Sequence, residues 1–193
     1  MALTVAAYFV CYDVLHAKAV FIVGASVGWA AYLATRFARD PAAVADYGLS
    51  RRHLARSGIS AASLVLVGAT GCALVALARG TLHVGPGLLL ALVLYPFWGV
   101  IQQLLVQSMV VRNLAHALSP RVLVGVAAVL FGAIHLPDPA LTAATAALGA
   151  VLTMIYLRGR NVWPLGIAHG LLGAVFYVWV LGRDPWAEVF GAT

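Results

Sequence analysis

Long apolar runs separated by short polar segments dominate this chain and limit what it can fold into. Hydrophobic residues make up 63% of its 193 residues, charged residues only 9%, and the mean hydropathy is +0.98. A soluble domain carries roughly 25% charged residues. A run of about 20 apolar residues can instead cross the hydrocarbon core of a bilayer as a helix, which satisfies its own backbone. We therefore predict an all-α, polytopic transmembrane helical bundle.

The hydrophobic pattern predicts about six spans in a single transmembrane domain that comprises residues 1–193. The expected spans are residues 3–35, 57–79, 87–113, 121–136, 140–157 and 162–182. The first is too long for one straight span and contains Asp13, His16 and Lys18. It is either one long tilted helix or a short interfacial helix followed by a span from Ala19, and an extra N-terminal helix stays open. Pro96 should kink the third span.

The basic residues predict the orientation of these spans. Nine of the twelve arginines and lysines lie in or beside alternate loops, 36–56, 113–121 and 157–161. By the positive-inside rule these loops are cytoplasmic, in what we expect to be a prokaryotic plasma membrane. The segment from Asp40 to Arg56 is either an amphipathic surface helix on anionic lipid or a solvated loop. The sequence contains no basic patch with interleaved aromatic residues, so it does not indicate nucleic-acid binding.

Polar side chains interrupt three of the apolar runs. His135 closes the fourth run, His169 lies inside the sixth, and Gln102, Gln103 and Gln107 lie in the third. Such side chains are costly in hydrocarbon and indicate function by default. At roughly 1.5 Å of rise per residue their expected depths overlap near the middle of the bilayer. The sequence therefore predicts a polar site there, although the two glutamines four residues apart are equally suited to joining helices by hydrogen bonds.

Four segments together resemble a known family. Phe131-Gly-Ala-Ile-His135 fits a Phe-x-x-x-His motif, and the residues leading to His169 look like the approach to a His-x-x-x-Asn motif. The run before Arg112 occupies the place of a Glu-Glu-x-x-x-Arg motif, and Tyr47-Gly-Leu-Ser-Arg-Arg looks like a first cytoplasmic loop. Residues 45–182 thus resemble the type II CAAX prenyl endopeptidases and bacteriocin-processing or immunity proteins, the CPBP or Abi family.

The resemblance implies a site whose residues have changed. In the family a motif glutamate activates water, the histidines assist it, and the asparagine helps to hold the oxyanion. The matching positions are Gln102 and Gln103 for the glutamates, Gln107 for the arginine, His135 and His169 for the histidines, and Gly173 for the asparagine. Both histidines remain, and the other four motif positions differ.

These differences change the available chemistry. A carboxamide has almost no basicity, so that neither glutamine can serve as the general base. Glycine offers no side-chain donor to an oxyanion. The whole segment between Asp46 and Asp138 contains no carboxylate. A proton-transfer role therefore falls to the imidazoles, which suit it near neutral pH.

Two functions follow as expectations. In the first, the protein acts on a membrane-embedded peptide or an isoprenoid or lipid substrate. His135 and His169 are then acid and base, Gln102 and Gln103 orient the substrate, and the substrate-binding residues are Gln107, Phe131 and Gly173. In the second, it is an inactive pseudoprotease that binds a peptide or a partner protein in immunity, assembly or trafficking. A carrier is a third, weaker alternative.

The sequence gives little information about cofactors and partners. Two histidines alone fall short of the three or four protein ligands of a typical zinc site, so we assign no metal ligand and leave a divalent metal open. The sequence requires no cofactor. The expected partners are membrane lipid and the membrane-borne substrate, and the oligomeric state is open.

Overall fold

The computed structural model of the chain describes residues 17–184 together with Ala7, Val10 and Cys11. The predictions for Asp13 and His16, for the start of the first span and for an extra N-terminal helix lie outside the described residues. The described part contains helices and no strand, which confirms the all-α prediction. The helices are α1 Lys18–Arg39, α2 Ala43–Asp46, α3 Leu54–Arg79, α4 Pro86–Gln103, α5 Arg112–Leu114, α6 Pro120–Ala133, α7 Pro139–Gly159 and α8 Trp163–Val175. A π-helical segment, Leu104–Val111, joins α4 to α5, and a second, Phe176–Val180, extends α8.

Five of the described helical stretches are long and apolar enough to cross a membrane. They are Val20–Arg39, Leu54–Arg79, Pro86–Leu114, Pro139–Gly159 and Trp163–Val180. These stretches make the protein an integral membrane protein in a lipid environment. Four of them lie close to the predicted spans 57–79, 87–113, 140–157 and 162–182. In place of the predicted span 3–35, α1 begins at Lys18, near the alternative start at Ala19.

The fourth predicted span, 121–136, is shorter than expected. Helix α6 has 14 residues and ends at Ala133, so it extends about 21 Å. Pro137 disfavours helical geometry at the residue before it and so stops the helix. His135 consequently lies in the turn after α6 and not within a helix.

The segment between α1 and α3 is a partly exposed connection that is hydrogen-bonded to the rest of the bundle. Only the four residues of α2 are helical before the turns that lead to α3. The backbone carbonyls of this segment accept hydrogen bonds from the ends of other helices: Ser108 Oγ donates to Tyr47 O at 2.7 Å, and the Val162 amide donates to Gly48 O at 2.9 Å. Asn161 Nδ2 donates to Ser50 O at 2.7 Å. The three basic loops therefore meet at one end of the bundle.

The packing of α4 against α8 forms the centre of the bundle. Gly166 lies against Val100, and Gly170 lies against Tyr95 and Pro96, so that the two helices run antiparallel. A Cβ atom added to either glycine would collide with backbone atoms of α4. Small residues allow such close backbone approach between membrane helices, where lipid provides no hydrophobic drive for association. Helix α4 continues through Pro96, whose backbone is in contact with Gly170.

We expect the substitution Gly170→Ala to destabilise the bundle strongly. The new methyl group has no space beside Pro96, and overpacking of this kind typically costs about 1–3 kcal/mol, more where backbone must move. Thermal unfolding of the purified protein in detergent would measure the loss. The matched control is Gly125→Ala on α6, because a Cβ there meets nothing within 4 Å. Equal melting temperatures for the two variants would contradict the proposed packing.

Candidate active site

The side chain of Phe131 lies between the two candidate histidines. Its ring is fully buried, and its centroid is 5.1 Å from that of His169 and 6.4 Å from that of His135. Gly149 of α7 allows this position, since a Cβ at Gly149 would be 2.8 Å from the Phe131 Cβ. The packing of α6 against the antiparallel helix α7 thereby places Phe131 next to His169 of α8. The structure brings His135 and His169 to the same aromatic ring.

The two imidazoles have different hydrogen-bonding environments. His135 is half-buried, and its Nδ1 lies 2.7 Å from the carbonyl oxygen of Phe131. Because a carbonyl oxygen only accepts, this bond assigns the proton to Nδ1 and leaves Nε2 as the acceptor. His169 is 7% exposed, and its Nδ1 has no hydrogen-bond partner among the described residues. His135 Nε2 is therefore left to accept a proton, whereas His169 Nδ1 is an unpaired nitrogen enclosed by the protein.

A cleft of about 260 Å³ lies beside His169, between α3, α7 and α8. Gly173, which we expect to match the family asparagine, also lines this cleft. A Cβ at Gly173 would meet only the Tyr95 ring, at 3.7 Å. The absence of a side chain at this position widens the cleft.

Two of the candidate glutamines form a separate buried cluster. Gln107 Nε2 donates to Gln103 Oε1 at 3.1 Å and to Thr153 Oγ1 at 3.0 Å, and all three residues are fully buried. The remaining amide atoms, Gln103 Nε2 and Gln107 Oε1, have no partner within the described chain. This cluster connects α4 and its π-helical extension to α7, as expected for glutamines that join helices. Gln102 is half-buried on a neighbouring face of α4, about 100° around the axis from Gln103.

The glutamine cluster and the histidines lie at different levels of the bundle. Gly170 packs on Pro96 and Gly166 on Val100, so His169 is level with the turn of α4 between those residues. Gln103 lies about one and a half turns further along α4, roughly 9 Å along the helix axis. Gln103 is therefore closer than His169 to the end of the bundle where the basic loops meet. The register of α4 against α8, which the sequence does not encode as a simple pattern, causes this separation.

Asp138 is the carboxylate nearest to His135 in the chain, and its oxygens already have partners. Its Oδ1 accepts from the Leu141 amide at 3.0 Å, which caps α7, and its Oδ2 forms an ion pair with Arg183 at 2.6 Å. The Leu141 amide, and then Arg183, hold the pKa of Asp138 below its ordinary value. The sequence did not reveal this link between the turn that carries His135 and the end of α8. No group of three metal-binding side chains occurs within the described ranges.

Thr153 is the residue of these clusters that sequence reasoning missed. A threonine in an apolar helix carries no distinct signal, because its hydroxyl can bond to its own helix. Only the contact across to Gln107 shows its role.

We expect Thr153→Val to destabilise the protein. The change keeps the shape of the side chain but leaves Gln107 with one hydrogen bond fewer, which costs about 1–3 kcal/mol in a buried site. Thr142→Val on the same helix is the control. The Thr142 hydroxyl is buried and has no hydrogen-bond partner among the described residues, so its removal should be neutral or stabilising. Thermal unfolding of both variants measures the difference, and an equal effect would contradict the assigned role of Thr153.

The fold defines an all-α integral membrane protein with a histidine pair beside an apolar cleft. Comparison with known families gives a match over residues 84–175 to the family described as type II CAAX prenyl endopeptidase Rce1-like. This match confirms the resemblance deduced from the motifs, and residues 84–175 are similar to that family. The matched region contains α4 to α8 in full and includes every candidate site residue. No curated protein and no solved structure matches the chain.

Proposed function

We propose that the protein is an intramembrane hydrolase for a membrane-borne peptide or an isoprenoid or lipid-like substrate, with His135 and His169 as the reacting groups. The contact of both imidazoles with Phe131, beside the cleft that His169 lines, supports this proposal most strongly. The match to the CAAX endopeptidase family over residues 84–175 supports this reaction class.

The proposed chemistry needs only the two imidazoles and water. One imidazole accepts a proton from water as the water attacks the substrate carbonyl, and the imidazolium formed in this way returns the proton to the leaving group. The other imidazole stays neutral and hydrogen-bonds to the substrate. Nε2 of His135 suits the first role, since its Nδ1 is engaged with the Phe131 carbonyl. Gln102 would orient the substrate from α4. Gln103, held by Gln107 on the same helix, would support that wall of the site. Phe131 and Gly173 would contact the substrate.

We expect His135→Ala and His169→Ala each to reduce turnover by about 10²–10⁴-fold, the usual contribution of a general acid or base. The assay uses the protein in lipid nanodiscs with lipid-modified peptides and with isoprenoid or acyl esters. His116→Ala is the control, because His116 is exposed outside the helices. Full activity in both variants would rule out the proposed hydrolase mechanism.

A second candidate function is a pseudoprotease that binds a peptide or a partner protein without turnover. The observation in its favour is the glutamine cluster. Gln103 matches a catalytic glutamate of the family motif, yet it is fully buried between helices with Gln107 and Thr153. Turnover by the wild-type protein that disappears in His169→Ala would exclude it.

Restoring the family residues tests whether the chain lacks only the catalytic side chains or also the arrangement of helices that proteolysis needs. The variant combines Gln102→Glu, Gln103→Glu and Gly173→Asn. If the second candidate is right, we expect this variant to gain peptidase activity that the wild-type chain lacks. A folded triple variant without activity would indicate that the buried position of Gln103, and not only its side chain, prevents proteolysis.

We also propose that the basic loops face the cytoplasm of a prokaryotic cell. Their meeting at one end of the bundle supports a common side. With Cys11 and Cys72 replaced by alanine, a cysteine introduced at Ser119 should stay unlabelled by an impermeant maleimide added to intact cells. Labelling from outside would reverse the assignment.

A further inference from the structure

We propose that five arginines at the end of the bundle where the basic loops meet form a binding surface for an anionic phospholipid. This basic patch consists of Arg51, Arg52, Arg56, Arg158 and Arg160. The lipid belongs to the leaflet that covers this end, with its phosphate on the arginines and its acyl chains along the apolar surface below them. The inference goes beyond the proposed hydrolase, because it concerns another part of the molecule and requires no turnover.

A buried asparagine joins the two segments that carry the patch. Asn161 is fully buried, and its Nδ2 donates to Ser50 O at 2.7 Å and to Arg52 O at 3.0 Å. Arg160 is the next residue along the chain before Asn161. The loop that carries Arg52 and the turn that carries Arg160 are therefore fixed beside each other, although they are more than 100 residues apart in sequence.

A close helix contact brings the other side of the patch together. Gly159 at the end of α7 packs against Ser57 of α3, since a Cβ at Gly159 would collide with the Ser57 hydroxyl group. Arg158 and Arg56 are the immediate neighbours of these two residues in the chain. The fold thus collects on one surface the charges of a loop, of α3 and of α7.

The charge of the patch is not neutralised by the described part of the protein. All five side chains are exposed, and none forms an ion pair with a described carboxylate. The two acidic residues between α1 and α3 already have other partners: Asp40 pairs with Arg36 at 2.9 Å and Asp46 with Arg112 at 3.2 Å. The patch therefore attracts an anion, and guanidinium groups bind phosphate through paired hydrogen bonds.

The surface next to the patch favours a lipid over a soluble anion. Trp163, which is 44% exposed, donates from its indole N–H to Leu49 O at 2.9 Å and so lies beside the loop of the patch. Leu54 at the start of α3 and Ile167, one turn beyond Trp163 on α8, are also exposed. Tryptophan is typical of the membrane interface, and basic clusters beside membrane helices bind acidic lipid headgroups. A phospholipid matches both the charged and the apolar part of this surface.

The test is native mass spectrometry of the full-length protein in neutral detergent micelles. The micelles contain equal amounts of phosphatidylglycerol and phosphatidylcholine with chains of different, isotopically distinguishable mass. We expect the wild-type protein to retain phosphatidylglycerol at least about tenfold more than phosphatidylcholine, since each basic side chain at such a surface contributes about fivefold to binding. Two soluble competitors, glycerol phosphate and a hexaglutamate peptide, should leave the bound lipid in place.

Two double variants probe the patch, and a third is the matched control. Retention of phosphatidylglycerol should fall at least about tenfold in Arg52→Gln/Arg160→Gln and in Arg51→Gln/Arg158→Gln, because each removes two cations of the patch. The control, Arg39→Gln/Arg79→Gln, removes the same charge from exposed positions on α1 and at the other end of α3, and its lipid preference should equal that of the wild type. Melting temperatures identify the variants that fold.

The proposal is overturned by equal retention of the two lipids in the wild-type protein. It is also overturned if either patch variant melts like the wild type and keeps the preference, or if the control loses as much as the patch variants. Displacement of the lipid by glycerol phosphate or by the peptide would assign the surface to a free phosphate or to an acidic protein segment instead. Because no step requires turnover, an inactive protein that shows the preference would reject only the hydrolase.

Discussion

Close contact between the backbones of α4 and α8 is the constraint on which the rest of the bundle depends. Gly166 and Gly170 let α8 lie directly on α4 along Tyr95, Pro96 and Val100. In lipid, helices gain no hydrophobic energy by associating, so fit between surfaces and hydrogen bonds must hold them together. This contact sets the register of the two helices and places His169 inside the bundle, where Phe131 reaches it from α6.

The same register explains why the polar residues form two clusters. His169 is level with the turn of α4 that begins at Pro96, and Gln103 lies further along α4 towards the basic loops. There Gln103 and Gln107 meet Thr153 and connect α4 to α7. A carboxylate in this dry contact would need a compensating charge, whereas carboxamides bond to one another as neutral groups. Glutamine therefore suits a structural role at these two positions better than glutamate would.

The histidine cluster has features of a reaction site that the glutamine cluster lacks. Its member His169 lines a cleft, and Nδ1 of that ring has no partner in the described chain. The turn that carries His135 is joined to the end of α8 through Asp138 and Arg183. An ion pair and an aromatic ring thus connect the two histidine-bearing segments, which differs from a lone polar residue that only joins helices.

The sequence by itself determined the fold class, the approximate spans, the family resemblance and the identity of the candidate residues. These features depend on local hydrophobicity and on short motifs, which a linear chain displays directly. Only the tertiary structure decided that α6 ends before His135, that Gln103 and Gln107 bond to Thr153, and that Phe131 lies between the histidines. The physical reason is that depth estimated from helical rise assumes straight helices that start at the same level. Their true offsets are set by where glycines on one helix allow the backbone of another to approach.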